Sequence, residues 1–187
     1  MNNNNPHGLR PACYLNGAPY NGQVEEFYIP ETDTDDFFVG DAVTLAGSAS
    51  AEGIPTIQRA VSGNALLGAV IGVSRAIRDD EIYRQGGQAM HVFVSTDANI
   101  LYEIQEDSDG GALTADNVGQ NAELLVQDGS DQGISGTELD SRTAATTAGH
   151  DLKIMRLVRR EDNAIGENAK WLVKINNHQY ADNEVGV

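Results

Sequence analysis

Residues 65–73 read ALLGAVIGV. The run is too short for a core helix, becomes β-branched towards its end and is interrupted by Gly68 and Gly72, so it reads as a buried strand. Working outward, the neighbouring runs have the same character. Upstream, 54–60 (IPTIQRA) is a short strand with Pro55 at its edge, and 37–45 (FFVGDAVTL) is a strand with a turn or bulge at Gly40-Asp41. The segment 23–30 (QVEEFYIP) is a first strand, closed by the acidic turn 31–36. Downstream, 89–95 (AMHVFVS) alternates with Met90, Val92 and Val94 on one face, and 100–105 (ILYEIQ), 122–127 (AELLVQ), 151–158 (DLKIMRLV) and 171–176 (WLVKIN) continue the series. Between them lie a small-residue loop at 46–53, a polar connector at 77–84, a tight turn at 107–111 (DSDGG), one helical turn at 113–118 capped by Thr114, a long polar loop at 128–148 and a connecting turn at 161–168. No helical periodicity exceeds two turns and no internal repeat is visible. The expected fold is therefore all-β, a sandwich or barrel with a jelly roll among the options, carrying long polar loops.

The chain divides into an extended N-terminal arm over 1–22, a β domain over 23–176 with an internal division near 77–88, and a polar tail over 177–187. In the arm, Asn2 to Asn5 are polar, Pro6 and Pro11 are expected to forbid regular structure, and Asn16-Gly17 and Asn21-Gly22 are turn pairs. Residues 1–8 read equally as a solvated terminus or as the start of the arm. Leu9, Tyr14, Leu15 and Tyr20 are apolar or aromatic, which predicts that 9–22 pack on something.

A formal charge of −16 over 187 residues opposes binding to phosphate backbones, so nucleic acid is not an expected partner. The same charge keeps a protein soluble at high local concentration and favours partners that present basic patches. Cys13 is the single cysteine, which excludes an intramolecular disulfide and points to a reducing site of synthesis, the cytoplasm. His7, His91, His150 and His178 are scattered. No apolar run of membrane-spanning length occurs, and MNNNNPHG has neither the basic nor the apolar region of a secretory signal. The cations are unevenly spread. No Lys or Arg lies between Arg84 and Arg142, whereas 142–174 holds seven of the twelve. Either the molecule has an acidic side and a basic edge, or the cations balance local acids on a solvated face.

No constellation of catalytic residues stands out. A phosphate loop ending in Lys-Ser or Lys-Thr is missing, GVSRA and GISGT lack the spacing of a nucleophile elbow, and no His-Glu-x-x-His occurs. Nothing around Cys13 activates its thiol. The acidic stretches 31–36 and 106–110 offer oxygens to Ca²⁺, but neither fits the twelve-residue loop that ends in Glu. With 28 acids a chance carboxylate pair is always available and carries no signal. The reading is of a protein that is no enzyme and uses neither cofactor nor metal. Trp171, the only tryptophan, reads first as a core anchor on the last strand, with an interface hot spot as the alternative.

The stretches GTELDSRTAATTAGHDLKIMRLVRREDNAIGENAKWLVKINNHQY (136–180), LYEIQEDSDGGALTADNVGQNAELL (101–125) and GLRPACYLNGAPYNGQ (8–23) resemble virion structural proteins of tailed bacteriophages. The segment FFVGDAVTLAG, with ALLGAVIGV after it, looks like the small β domains of capsid decoration, or cement, proteins. The resemblance implies a β-rich, non-catalytic protein on the capsid exterior, bound to the major capsid protein. It would bridge neighbouring capsomers and resist internal DNA pressure. It also implies a homo-oligomer, dimer or trimer, made in the host cytoplasm and touching no membrane. Expected contact residues are Leu9, Arg10, Tyr14 and Tyr20 in the arm and Arg156, Arg159, Arg160 and Lys174 on the basic edge. Another virion component (minor head, tail or fibre base) is the next reading, and a hydrolase or carbohydrate-binding module at the host surface is the third.

Overall fold

In the computed structural model, residues 2–74 and 82–181 are described. Twelve strands follow one another among the described residues: β1 (Arg10–Tyr14), β2 (Glu25–Ile29), β3 (Ala42–Ala49), β4 (Pro55–Arg59), β5 (Gly68–Val73), β6 (Met90–Ser95), β7 (Ile100–Gln105), β8 (Asn121–Ala122), β9 (Leu124–Leu125), β10 (Glu138–Leu139), β11 (Leu152–Leu157) and β12 (Lys170–Ile175). The all-β reading holds, and the strands form two main bodies. Strands β2-β4-β3-β5-β6 close into a five-stranded barrel, and β1-β7-β12-β11-β8 form an antiparallel sheet. The short pair β9 and β10 forms a ladder of its own, and its Leu124 and Leu139 join the core under the five-stranded sheet.

The deciding run 65–73 explains how the bodies join. Leu67 and Val70 point into the barrel, where they meet Phe27, Ile29, Val43, Val92 and Val94. Leu66 and Ala69 point outward, and with Ala42 and Ala60 they face Tyr102, Ile104, Trp171 and Val173 of the sheet. A strand buried on both faces needs an unbroken apolar sequence, which 65–73 has. Gly68 belongs to the same junction, since a Cβ there would come within 1.9 Å of the Ser95 carbonyl oxygen. Trp171 is fully buried in this shared core, as a core anchor should be. The Tyr102 hydroxyl closes the seam by donating to the Ser95 carbonyl at 3.2 Å. The chain passes from barrel to sheet at 96–99, while the division expected near 77–88 falls partly outside the described residues.

Several boundaries differ from expectation. Pro11 does not forbid a strand. It lies in β1, at the sheet edge, next to a register shift between Pro11 and Cys13, where a missing N–H is tolerated. The expected strand 122–127 is cut to the two-residue elements β8 and β9, where the Glu123 N–H goes to the Thr143 hydroxyl at 2.8 Å and the Leu124 N–H to Asp151 at 2.9 Å. The helical turn is present as a 3-10 turn at Ala115–Asn117 with Thr114 before it. Of the tail, His178 is fully buried and bridges Leu66, and the Gln179 side chain accepts from the Leu45 N–H.

Candidate functional site

Strand alternation sorts the five-stranded sheet into two faces. Ile100, Tyr102, Ile104, Leu152, Ile154, Trp171, Val173 and Ile175 turn towards the barrel. The residues between them turn away, and here the sequence places its cations. Register pairs Arg10 with Glu103, Glu103 with Leu172 and Leu172 with Arg156, and a second row joins Leu101, Lys174 and Lys153. Lys170 lies opposite Gln105. With Arg160, which reaches Glu103 from just beyond β11, six of the twelve basic residues share one outward face. Its apolar centre is Leu101, Val158 and Leu172, flanked by Cys13 and Met155. Glu103 is the one acid in the five strands of this sheet.

That acid is neutralised. The Arg160 guanidinium donates to both Glu103 oxygens at 2.8 and 2.9 Å, and His7 Nε2 lies 3.6 Å from one of them. Burial pushes the Glu103 carboxyl up, but the His7 and Arg160 contacts outweigh it and hold the group below its usual range. Arg160 also holds Asp162 at 3.2 Å, and despite burial these acids keep its guanidinium more basic than usual. Burial, and then the nearby Arg160, lower Lys170. Arg10, Arg156 and Arg159 make no side-chain hydrogen bond or ion pair with any described residue. Lys174 reaches only its neighbour's carbonyl, Ile175 O, at 3.1 Å.

The N-terminal residues lie across one end of this face. Lys170 Nζ donates to Asn3 O at 3.0 Å, the buried Gln105 amide donates to Asn4 Oδ1 at 2.8 Å, and the Asn5 N–H donates to Gln105 Oε1 at 2.8 Å. Asn2 is held by the backbone at 164–167. Residues 2–14 therefore pack on their own chain.

The eight expected contact residues divide clearly. Arg10, Arg156, Arg160 and Lys174 come together on the outward face. Arg159 is exposed just past β11. Leu9 is 1% exposed in the core between barrel and sheet, so little of it is open to a partner. Tyr14 and Tyr20 are half-buried against that same core with ring centroids 6.1 Å apart, and their hydroxyls donate to Asn21 Oδ1 and Gln23 O. Sequence reasoning missed Lys153 and Lys170. The signal was available in KWLVKI, where Lys170, Leu172 and Lys174 recur with a period of two opposite Trp171, Val173 and Ile175.

The acidic stretches hold no ligand cluster, and no group of three or more His, Cys, Asp or Glu is placed to hold a metal among the described residues. Oxygens of the 30–35 turn go instead to Arg84, which is fully buried. No described helix is long and apolar enough to cross a membrane. The fold and the face together define an all-β protein, a five-stranded barrel backed by a sheet whose free side is basic. Comparison with known protein families, with curated proteins and with solved structures gave no match to this chain.

Proposed function

We propose that the chain is a non-catalytic structural protein that decorates the exterior of a tailed-bacteriophage head, laying the basic sheet face on the major capsid protein. The observation that carries the proposal is the gathering of six of twelve cations on one face of a molecule with a net charge of −16. Such polarity orients a molecule as it approaches an acidic surface and suppresses the wrong orientations. Beneath these cations Leu101, Val158 and Leu172 are buried, so the charged side chains form the surface that a partner would meet. The resemblance at 101–125 and 136–180 supplies the class of partner, and both stretches contribute strands to this sheet. In this reading the protein needs no cofactor, binds neither nucleic acid nor membrane, and assembles as a dimer or trimer after synthesis in the host cytoplasm. Many identical weak contacts on a lattice then add up through avidity.

The test is co-sedimentation with intact heads that lack the protein. Wild type should saturate at a fixed ratio to the major capsid subunit, one-to-one or a simple fraction such as two-thirds. Arg156→Glu with Lys174→Glu should weaken binding at least about tenfold, and binding should fall as salt is raised. Arg156 has no side-chain partner among the described residues and Lys174 bonds only the adjacent Ile175 carbonyl, so the variant should stay folded. Absent binding would overturn the proposal, and a handful of copies per head would move the protein to a tail or other minor virion position.

A further inference from the structure

Three adjoining depressions meet at Arg10. The first, about 330 Å³, is cut into the seam where β1 crosses the barrel, and Leu9, Tyr20, Val39, Val70, Ile71 and Ile134 give it apolar walls. The second, about 540 Å³, runs between 5–7 and 127–136 and presents Asn5, Gln127, Ser130 and Gln132. The third, about 210 Å³, opens onto the basic face between Arg10, Glu103 and Arg160. Arg10 lines all three, is exposed, and has no side-chain partner among the described residues. Arg160 beside it is occupied by Glu103 and Asp162, so Arg10 is the cation left to a ligand.

We propose that this seam receives an extended segment of the partner protein in which an apolar side chain stands next to a carboxylate. The apolar side chain fills the pocket against Ile71 and Ile134, and the carboxylate pairs with Arg10. This deepens the docking reading given above and rests on it. Three requirements fix the occupant. The apolar walls need a hydrocarbon group, which a simple anion lacks. The free guanidinium needs a negative charge and matches a carboxylate with two parallel N–H groups. The amide and hydroxyl side chains of the middle trough suit the N–H and C=O groups of a peptide backbone. Depressions strung along the segment 5–12 fit a chain, not a compact ligand. Asp128 in the wall and the net charge of −16 disfavour a nucleic-acid strand.

The experiment has two arms. In the first, isotope-labelled protein is titrated with an acetylated and amidated octapeptide of alternating Leu and Asp, and with its Leu and Lys counterpart. The acidic peptide should move the Ile71 and Ile134 methyl signals saturably, the basic one should not, and Arg10→Glu should weaken the effect at least about tenfold. No shift, equal shifts from both peptides, or an unchanged Arg10→Glu variant would overturn the seam as a binding site. In the second arm, heads lacking the protein receive wild type, Arg10→Glu and Ile71→Lys. Loss of binding in both variants supports the seam. Wild-type and variant proteins binding alike overturn its role while the docking reading stands. If wild type itself fails to bind, the docking reading falls, and the peptide arm still decides the seam. Arg10 is exposed and makes no side-chain hydrogen bond or ion pair among the described residues, so its variant separates lost binding from lost folding.

Discussion

At the scale of single residues the most informative side chain is Arg84. It is fully buried, yet nearly every donor is used: Nε donates to Gln88 O at 2.8 Å, and the two Nη atoms donate to Pro30 O, Asp33 O, Asp33 Oδ1 and the Asp35 carbonyl. Its guanidinium carbon lies 5.6 Å from the centre of the Phe37 ring. The acidic turn is thereby wrapped around a cation from its own chain, which accounts for oxygens that the sequence offered to calcium. Removing Arg84 would take the shared donor from one carboxylate and several carbonyls and leave a gap at the centre of the turn. Arg84→Met is expected to lose about 3–5 kcal/mol in urea denaturation. Arg84→Lys should recover little, since an ammonium cannot reproduce the planar fork. A loss below about 1 kcal/mol would show that the turn is held by other means. In the sequence Arg84 marks only the start of a stretch without cations, because its partners at 30–35 lie some fifty positions away.

Among the elements, β1 shows how far local reading extends. Alternation, apolar runs and turn residues located eight of the strands from 25 to 175 to within about five positions, since each of those runs carries its own local pattern. Strand β1 carries none. It is RPACY, and it becomes a strand only because β7, far along the chain, offers a ladder from Glu103 to Ile100. The basic face was half legible for a related reason. Period-two spacing in KWLVKI aligns Lys170 with Lys174, but only tertiary pairing brings Arg10 beside Glu103. The approach to β1 depends on two glycines. Gly8 at φ +64 packs against Gly40 at φ +99, and a Cβ on Gly8 would lie 2.2 Å from Gly40 O. Gly17 at φ +88 has nothing within 4 Å of the same position. Gly17→Ala should therefore cost only the left-handed backbone strain, about 1 kcal/mol. Gly8→Ala adds a backbone clash and should cost about 3 kcal/mol or more, lifting Leu9 from the core. Equal melting temperatures for the two variants would show that residues 2–9 are not held by this contact.

For the molecule as a whole, buried acids set an unusual dependence on pH. Asp41 is 1% exposed and accepts from the Ser135 hydroxyl and the Phe38 N–H, and burial still raises its pKa to about 6 against the pull of Arg59 and these donors. Glu106 is fully buried and accepts from the Leu113 N–H at 2.8 Å, and burial raises it to about 7 although Leu113, Ser108 and Trp171 oppose the rise. Burial also raises Glu138 and Asp151. Each of these groups binds its proton more tightly folded than unfolded. Their stabilisation is complete below the unfolded values of 3.8 to 4.5 and is lost as pH rises through about 6 and about 7. Self-repulsion at a net charge of −16 acts in the same direction, weakening as carboxylates are protonated. Glu103 opposes the trend, but its folded pKa lies below 4.5, so its contribution is lost only in stronger acid. The melting temperature should accordingly rise by about 5 °C or more from pH 8 to pH 5, given about 1.4 kcal/mol for each tenfold gain in proton affinity on folding and about 2–4 °C per kcal/mol for a chain of this size. Glu106→Gln imitates the protonated acid, so it should melt higher than wild type at pH 8 and show a flatter pH profile. Calorimetry across this range decides the matter: a melting temperature that falls on acidification from pH 8 to pH 5 would mean that these carboxylates are charged in the folded protein and stabilised by partners other than those named here.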